Sequence, residues 1–156
     1  MATRRGVHGL ALALGVLVVT TVLGSATAMA AELSDYRWES RPLLVFAPTA
    51  SDPRFAETLK RLDATRCDFL SRDMVLGQVV ADGNSTLDGQ AIDADQARRL
   101  ANQFAIGDDA FSVVLIGKDG GEKFRVDEVP DLRTIYAVVD GMPMRSREMG
   151  TDPGSC

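Results

Sequence analysis

Two cysteines, Cys67 and Cys156, and one histidine, His8, are the only thiol and imidazole side chains in this 156-residue chain. The histidine lies in an N-terminal segment with its own pattern. Arg4 and Arg5 form a positive start, Leu10 to Leu23 is an unbroken run of apolar or small residues, and Ala28-Met29-Ala30 precedes Ala31. That order is the charged, apolar and small-x-small pattern of a secretory signal peptide over residues 1–30. The apolar run is short of the roughly 20 residues that span a bilayer, which argues against an uncleaved anchor. No cysteine sits at the new N-terminus to carry a lipid. Gly6-Val7-His8-Gly9 fits poorly behind a twin-arginine pair, so the expected route is ordinary secretion to the periplasm or beyond. Cleavage there removes His8, and with it Ser-His-Asp or Cys-His catalysis and every histidine-ligated metal site. Two cysteines alone cannot build a four-thiolate zinc site either. Nothing in the mature sequence calls for a cofactor, and it contains no candidate membrane span.

The remaining candidates are thiols and charges. Cys67, in Thr65-Arg66-Cys67-Asp68, is expected late in a helix or just past it. Arg66 and Arg72 favour a thiolate there, whereas a helix C-terminus opposes one. An incidental structural thiol, a bridge to Cys156, a link between two chains, and a thiol-dependent oxidoreductase with Cys156 resolving all remain open. A bridge to Cys156 would close a long loop, worth about 4 kcal/mol by loop-closure entropy, in a compartment that permits disulfides.

Gly117-Lys118-Asp119-Gly120-Gly121 lacks the first glycine and the Ser or Thr of a phosphate-binding loop, and reads as a hairpin turn. Asp93 with Asp95, or Asp82 with Asn84, lack the glycine and glutamate that complete a calcium loop. Asp108-Asp109 reads as a solvated loop pair. The chain carries 17 Lys and Arg against 22 Asp and Glu, and loss of Arg4 and Arg5 deepens the imbalance. Such a domain repels phosphate backbones, which excludes nucleic acid as a natural partner.

The elements that must position these groups follow from periodicity. Leu43–Ala47 is a continuous apolar run ended by Pro48, as in a buried central strand. Ser51-Asp52-Pro53 opens a helix with Phe55, Leu59 and Leu62 on one face. Met74–Val80 reads as a second strand, and residues 81–85 as a loop. Asp93 with Gln96 resembles a capping box before a helix through Leu100 and Phe104. Phe111–Ile116 and Glu122–Val126 form a hairpin. Pro130-Asp131 starts a last helix bearing Leu132, Ile135, Tyr136 and Val139, which Gly141 and Pro143 stop. The expectation is a single α/β domain over residues 31–149, ordered β-α-β-α-β-β-α, thioredoxin-like, with a flexible tail at 150–156. The right-handed crossover makes the first two strands parallel neighbours.

Tyr36-Arg37-Trp38 with Arg41, Arg72-Asp73-Met74-Val75-Leu76, Ile116-Gly117-Lys118-Asp119-Gly120 and Met142-Pro143-Met144-Arg145 together resemble a bacterial domain-of-unknown-function family. That family is similar to thioredoxins and peroxiredoxins and to domains of animal extracellular sushi-repeat proteins. The resemblance spans nearly all of Leu33 to Met149. It implies a fold and an exported setting, and no catalytic residue. The wider class implies redox chemistry, from which this sequence departs. Pro48-Thr49-Ala50-Ser51-Asp52-Pro53 stands where Cys-x-x-Cys or a peroxidatic cysteine belongs, and Asp109-Ala110-Phe111 lacks the proline expected before the third strand.

Strand directions supply the positive candidate. Arg41 precedes the first strand, Arg72-Asp73 the parallel second, Lys118-Asp119 turn after the antiparallel third, and Met144-Arg145 follow the last helix. All four motifs come to the pole opposite the empty redox position. Trp38, Arg41, Arg72, Asp73, Lys118, Asp119, Met144 and Arg145 form either a salt-bridged end-cap or a recognition surface, with Trp38 as anchor. The functional expectation is a non-catalytic binding or structural module in the periplasm, with a protein or small anionic ligand as partner. The alternative is a peroxiredoxin-like enzyme using Cys67.

Overall fold

The computed structural model describes residues 31–150. The expected leader, residues 151–156 of the expected tail, and Cys156 with them, lie outside the described residues. The apolar run at the start of the domain becomes β1 (Arg41–Thr49), the strand on which the sheet is assembled. It pairs in parallel with β2 (Met74–Asp82) and antiparallel with β5 (Ser112–Ile116). The full order is β4-β3-β2-β1-β5-β6, with β6 at Glu122–Val126. Pro42 and Pro48 lie outside the four β1 residues paired with β5, so neither removes a donor from that ladder.

Because β1 is covered on both faces, its side chains alternate between two apolar layers. Leu43, Val45 and Ala47 pack with Phe55 and Leu62 of α1 (Pro53–Ala64) and Ile135, Tyr136 and Val139 of α4 (Leu132–Asp140). Leu44 and Phe46 pack with Ala97 and Leu100 of α3 (Ala94–Gln103) and with Phe104 beyond its end. Helix starts follow the expected side chains: Asp52, Asp93 and Asp131 each accept a backbone N–H at the first turn. Gln96 does not complete a capping box. Its amide instead donates to the Ala31 carbonyl, anchoring the start of the domain under α3.

The expected element order stands, so the fold is thioredoxin-like α/β, with three additions. Residues 81–85 are not merely a loop, since β2 runs on to Asp82 and is followed by a hairpin of β3 (Ser85–Leu87) and β4 (Gln90–Ile92). Its turn is Asp88-Gly89, with φ +51° and +76°. This is the left-handed pair that matches the twist of a two-residue hairpin. The first helix ends at Ala64, and Cys67 and Phe69 belong to a separate short helix, α2 (Arg66–Leu70). Pro143 does more than stop α4. It is the first residue of α5 (Pro143–Glu148), a position where its missing N–H costs nothing.

A Cβ at Gly89 would meet no atom within 4 Å, so Gly89→Ala isolates backbone strain. We expect a loss of about 1 kcal/mol in urea denaturation. No loss would show that the hairpin turn is not left-handed.

Candidate functional site

Arg41, the first residue of the central strand, is fully buried. A guanidinium there requires hydrogen-bonded counter-charges, because removing it from water is otherwise costly. Its backbone N–H donates to the Asp73 carbonyl at 2.7 Å, and Nη1 donates to the Arg72 carbonyl at 2.9 Å. Nη1 and Nη2 grip the Glu148 carboxylate at 3.0 and 3.1 Å, the two-pronged geometry that makes arginine–carboxylate pairs strong. Lys118, 9% exposed, reaches the same carboxylate at 2.7 Å and Asp73 at 2.8 Å. Arg41 also stands 3.8 Å from Asp73. Starts of β1 and β2, the β5–β6 turn and the end of α5 therefore meet at two cations and two carboxylates.

A second cluster lies beside it. Arg72 binds Asp140, the last residue of α4, through Nε at 3.0 Å and Nη2 at 2.8 Å. Its guanidinium also lies 4.8 Å from the centre of the Tyr136 ring. Arg145 approaches Asp140 at 3.5 Å and Glu148 at 3.7 Å, joining the clusters. Asp140 is held below the usual carboxylate range chiefly by its hydrogen bond from Arg72. For Glu148, burial pushes the carboxyl up, but the hydrogen bonds from Arg41 and Lys118 outweigh it and the net direction is down. Burial raises the Tyr136 phenol despite its hydrogen bond with Thr65.

The eight candidates thus divide. Arg41, Asp73 and Lys118 share one cluster, while Arg72 and Arg145 share Asp140. Met144 lines a groove with Arg41, Lys118, Lys123, Met142 and Pro143. Asp119 stays out of both clusters, tied to Lys123 at 2.6 Å and to the Gly121 N–H at 3.0 Å, where it shapes the hairpin turn. Burial by partners from α4 and α5 takes the guanidiniums of Arg41, Arg72 and Arg145 into ion pairs that close the bottom of the sheet.

Trp38 behaves differently. It is 60% exposed and its φ is +71°, a left-handed conformation rare for a bulky side chain. Its N–H donates to the Lys118 carbonyl at 2.6 Å, and the neighbouring Arg37 Nε donates to the Asp119 carbonyl at 3.1 Å. Two consecutive residues are thereby strapped to the β5–β6 turn, with the Arg37 guanidinium 5.6 Å from the indole.

At the opposite pole, Asp52 takes the α1 N-cap and an ion pair with Arg54 at 2.7 Å. Arg54 in turn lies 5.0 Å from the Phe111 ring. A shallow cleft of about 100 Å³ nearby is lined by Phe46, Val79, Ala97, Arg98 and Asp108. Among the described residues no cysteine or histidine stands there. Cys67 lies just past the end of α1, in the first turn of α2, and it is disulfide-bonded. Among the described residues no cysteine is free, and no three His, Cys, Asp or Glu side chains could hold a metal. No described helix is long and apolar enough to cross a membrane.

Arg37, Asp140 and Glu148 are the site residues that sequence reasoning passed over. Asp140 had a signal, since an acid ending a helix opposes the helix dipole and needs a cation. Glu148 carries no such signal, because Pro143 reads in sequence as a helix stop rather than as the start of α5.

A parallel-and-antiparallel sheet between helices, with this order of elements, defines a thioredoxin-fold protein. Residues 32–148 match the domain of unknown function DUF4174, and the chain belongs to that family. It is similar to coiled-coil domain-containing protein 80 of Danio rerio, 28% identical over 133 residues. That match covers 75% of this chain but only 15% of the relative's length. Among solved structures, a reduced 2-Cys peroxiredoxin of Plasmodium vivax matches with a TM-score of 0.57 at 14% identity, covering 74% of this chain and 84% of that one. A thioredoxin-fold protein of Helicobacter pylori matches with a TM-score of 0.50 at 14% identity, covering 78% and 84%. At these identities the likeness shows the fold alone.

Removal of the Arg72 side chain leaves Asp140 without its main partner, so Arg72→Ala is expected to cost about 2 kcal/mol in urea denaturation. A loss within about 0.5 kcal/mol would mark it as an ordinary surface residue. Asp140 and Glu148 both titrate low, so their contribution is complete above about pH 5 and is lost as pH falls through the ordinary carboxylate range to the depressed values. Thermal melts from about pH 6 down to 3 should therefore show an acid-side drop in Tm. Asp140→Asn should make that drop shallower.

Proposed function

We propose that this chain is a non-catalytic thioredoxin-fold recognition module, exported to the periplasm or beyond, that binds a protein partner through the pole carrying Trp38. The observation that carries the reading is Trp38 itself. A left-handed backbone at a non-glycine residue costs on the order of 1–3 kcal/mol, and such strain gathers at functional positions. Here the strain holds an indole in solvent, where it gains nothing from the core. Large aromatic side chains of this kind, beside an arginine, are the usual anchors of protein interfaces. The position where redox relatives keep their nucleophile is filled by an Asp52–Arg54 pair, which supports binding over thiol chemistry.

The disulfide at Cys67 supports the same reading. The chain has two cysteines, and we assign the bridge to Cys67 and Cys156 within one chain, as expected for an exported protein. Alkylation without reductant should then leave Cys67 unmodified. A fast-reacting thiol at Cys67 would instead revive the oxidoreductase alternative.

Trp38→Gly separates anchor from structure. Removing the Cβ relieves the backbone strain, so stability should hold or rise by about 1 kcal/mol. A photo-crosslinker at position 38 in cells should give a discrete heteromeric adduct. The same probe at Arg133, whose side chain is 92% exposed, should not. A Trp38→Gly variant that loses more than about 1 kcal/mol would make the tryptophan a structural residue. Identical adducts at both positions would remove the claim that this pole is selective.

A further inference from the structure

Glu148 is a ligand in all but covalent connection. Its two carboxylate oxygens are held by both terminal nitrogens of Arg41 and by the Lys118 ammonium, at 2.7 to 3.1 Å. The two cations come from β1 and from the β5–β6 turn, parts of the sheet's rigid frame. The carboxylate comes from the end of α5, a six-residue helix that packs none of its residues fully into the core. Two buried cations on the sheet, answered by a carboxylate from a short helix held at this end by ion pairs rather than by buried apolar residues, have the arrangement of a receptor and an occupant. Among the described residues Arg41 Nε has no hydrogen-bond partner, although Arg41 is fully buried. The site thus has donor capacity that Glu148 leaves unused.

The surroundings say which carboxylate suits it. Arg41 and Lys118 also line a groove of about 250 Å³ with Met142, Pro143 and Met144. A lone small ion has no use for that apolar wall. An acidic side chain flanked by apolar residues does, because methionines adapt to varied shapes. We infer that Arg41 and Lys118 form a carboxylate-binding site for an acidic side chain of a protein partner, which Glu148 of α5 fills in cis as an internal surrogate. In this arrangement α5 is an autoinhibitory latch, and a partner's acidic segment exchanges with Glu148.

The inference deepens the recognition reading by naming the partner's chemistry, but its test needs no partner and uses neither Trp38 nor a cell. Shortening Glu148 to alanine empties the site, so an added carboxylate should bind and stabilise the folded chain by mass action. The probes are sodium acetate and the blocked tripeptide acetyl-Leu-Glu-Leu-amide, each against sodium chloride at equal ionic strength. Glu148→Ala should melt below the wild type and regain Tm with both probes. The peptide should reach half its effect at a roughly tenfold lower concentration, since its leucines add apolar contact. Glu148→Ala combined with Lys118→Met should regain nothing.

If Glu148→Ala does not fold in chloride, refolding yield replaces the melt. Folding restored by the peptide at the lower concentration supports the site, and an unfolded chain in every salt overturns it. The inference is also overturned if Tm is indifferent to carboxylate, or if the Lys118→Met double variant responds equally. Rescue by acetate with none by the peptide overturns the assignment to an acidic side chain. Trp38 crosslinking could still succeed after any of these failures, so the two readings fall separately.

Discussion

The bottom of this fold is organised by one requirement: a guanidinium buried at the first residue of the central strand must be answered. Arg41 has no route to water, so its counter-charge has to be brought in by other parts of the chain. The Arg72 and Asp73 carbonyls arrive because β2 runs parallel to β1 and starts beside it. Lys118 arrives because β5 runs the other way and turns there. Glu148 arrives only because the chain continues past α4 into α5. Buried ion pairs give modest net stability, yet removing one partner leaves a stranded charge costing about 3–5 kcal/mol. The cluster therefore fixes the starts of β1 and β2 and the β5–β6 turn relative to one another, and α5 closes it by supplying Glu148.

That arrangement has consequences on the surface. Drawing Lys118 inward sets the β5–β6 turn, whose carbonyls then hold Arg37 and Trp38 in place. A rigid interior charge cluster and an exposed, strained aromatic thus share one hairpin. The opposite pole, where thioredoxin-fold redox proteins work, has been given over to helix capping. Function resides in sites rather than in folds, so the shared frame does not by itself bring a redox role to this chain.

Much of this architecture was legible in sequence. The Leu43–Ala47 run, the Asp-capped helices and the Lys118–Gly121 turn each carry local signals whose physics does not depend on distant residues. Strand directions alone then brought Arg41, Asp73 and Lys118 to one pole. What escaped were features whose meaning is set by partners far along the chain. The Asp88-Gly89 turn was passed over because the strands flanking it have three residues each, too few to show alternation. Helix α5 was missed because a proline can end one helix and begin the next. Without α5, Glu148 had no place, and the burial of Arg41 could not be anticipated, since arginine at a strand start is ordinarily solvated.

The most direct test of this account is the titration of the Glu148 side-chain carboxyl carbon, followed by NMR in the intact protein. If Arg41 and Lys118 hold the carboxylate as described, Glu148 titrates below the ordinary glutamate value of about 4.3. Titration at that value or above it would mean that burial prevails and the two cations are not gripping Glu148, and the central cluster would not exist as drawn.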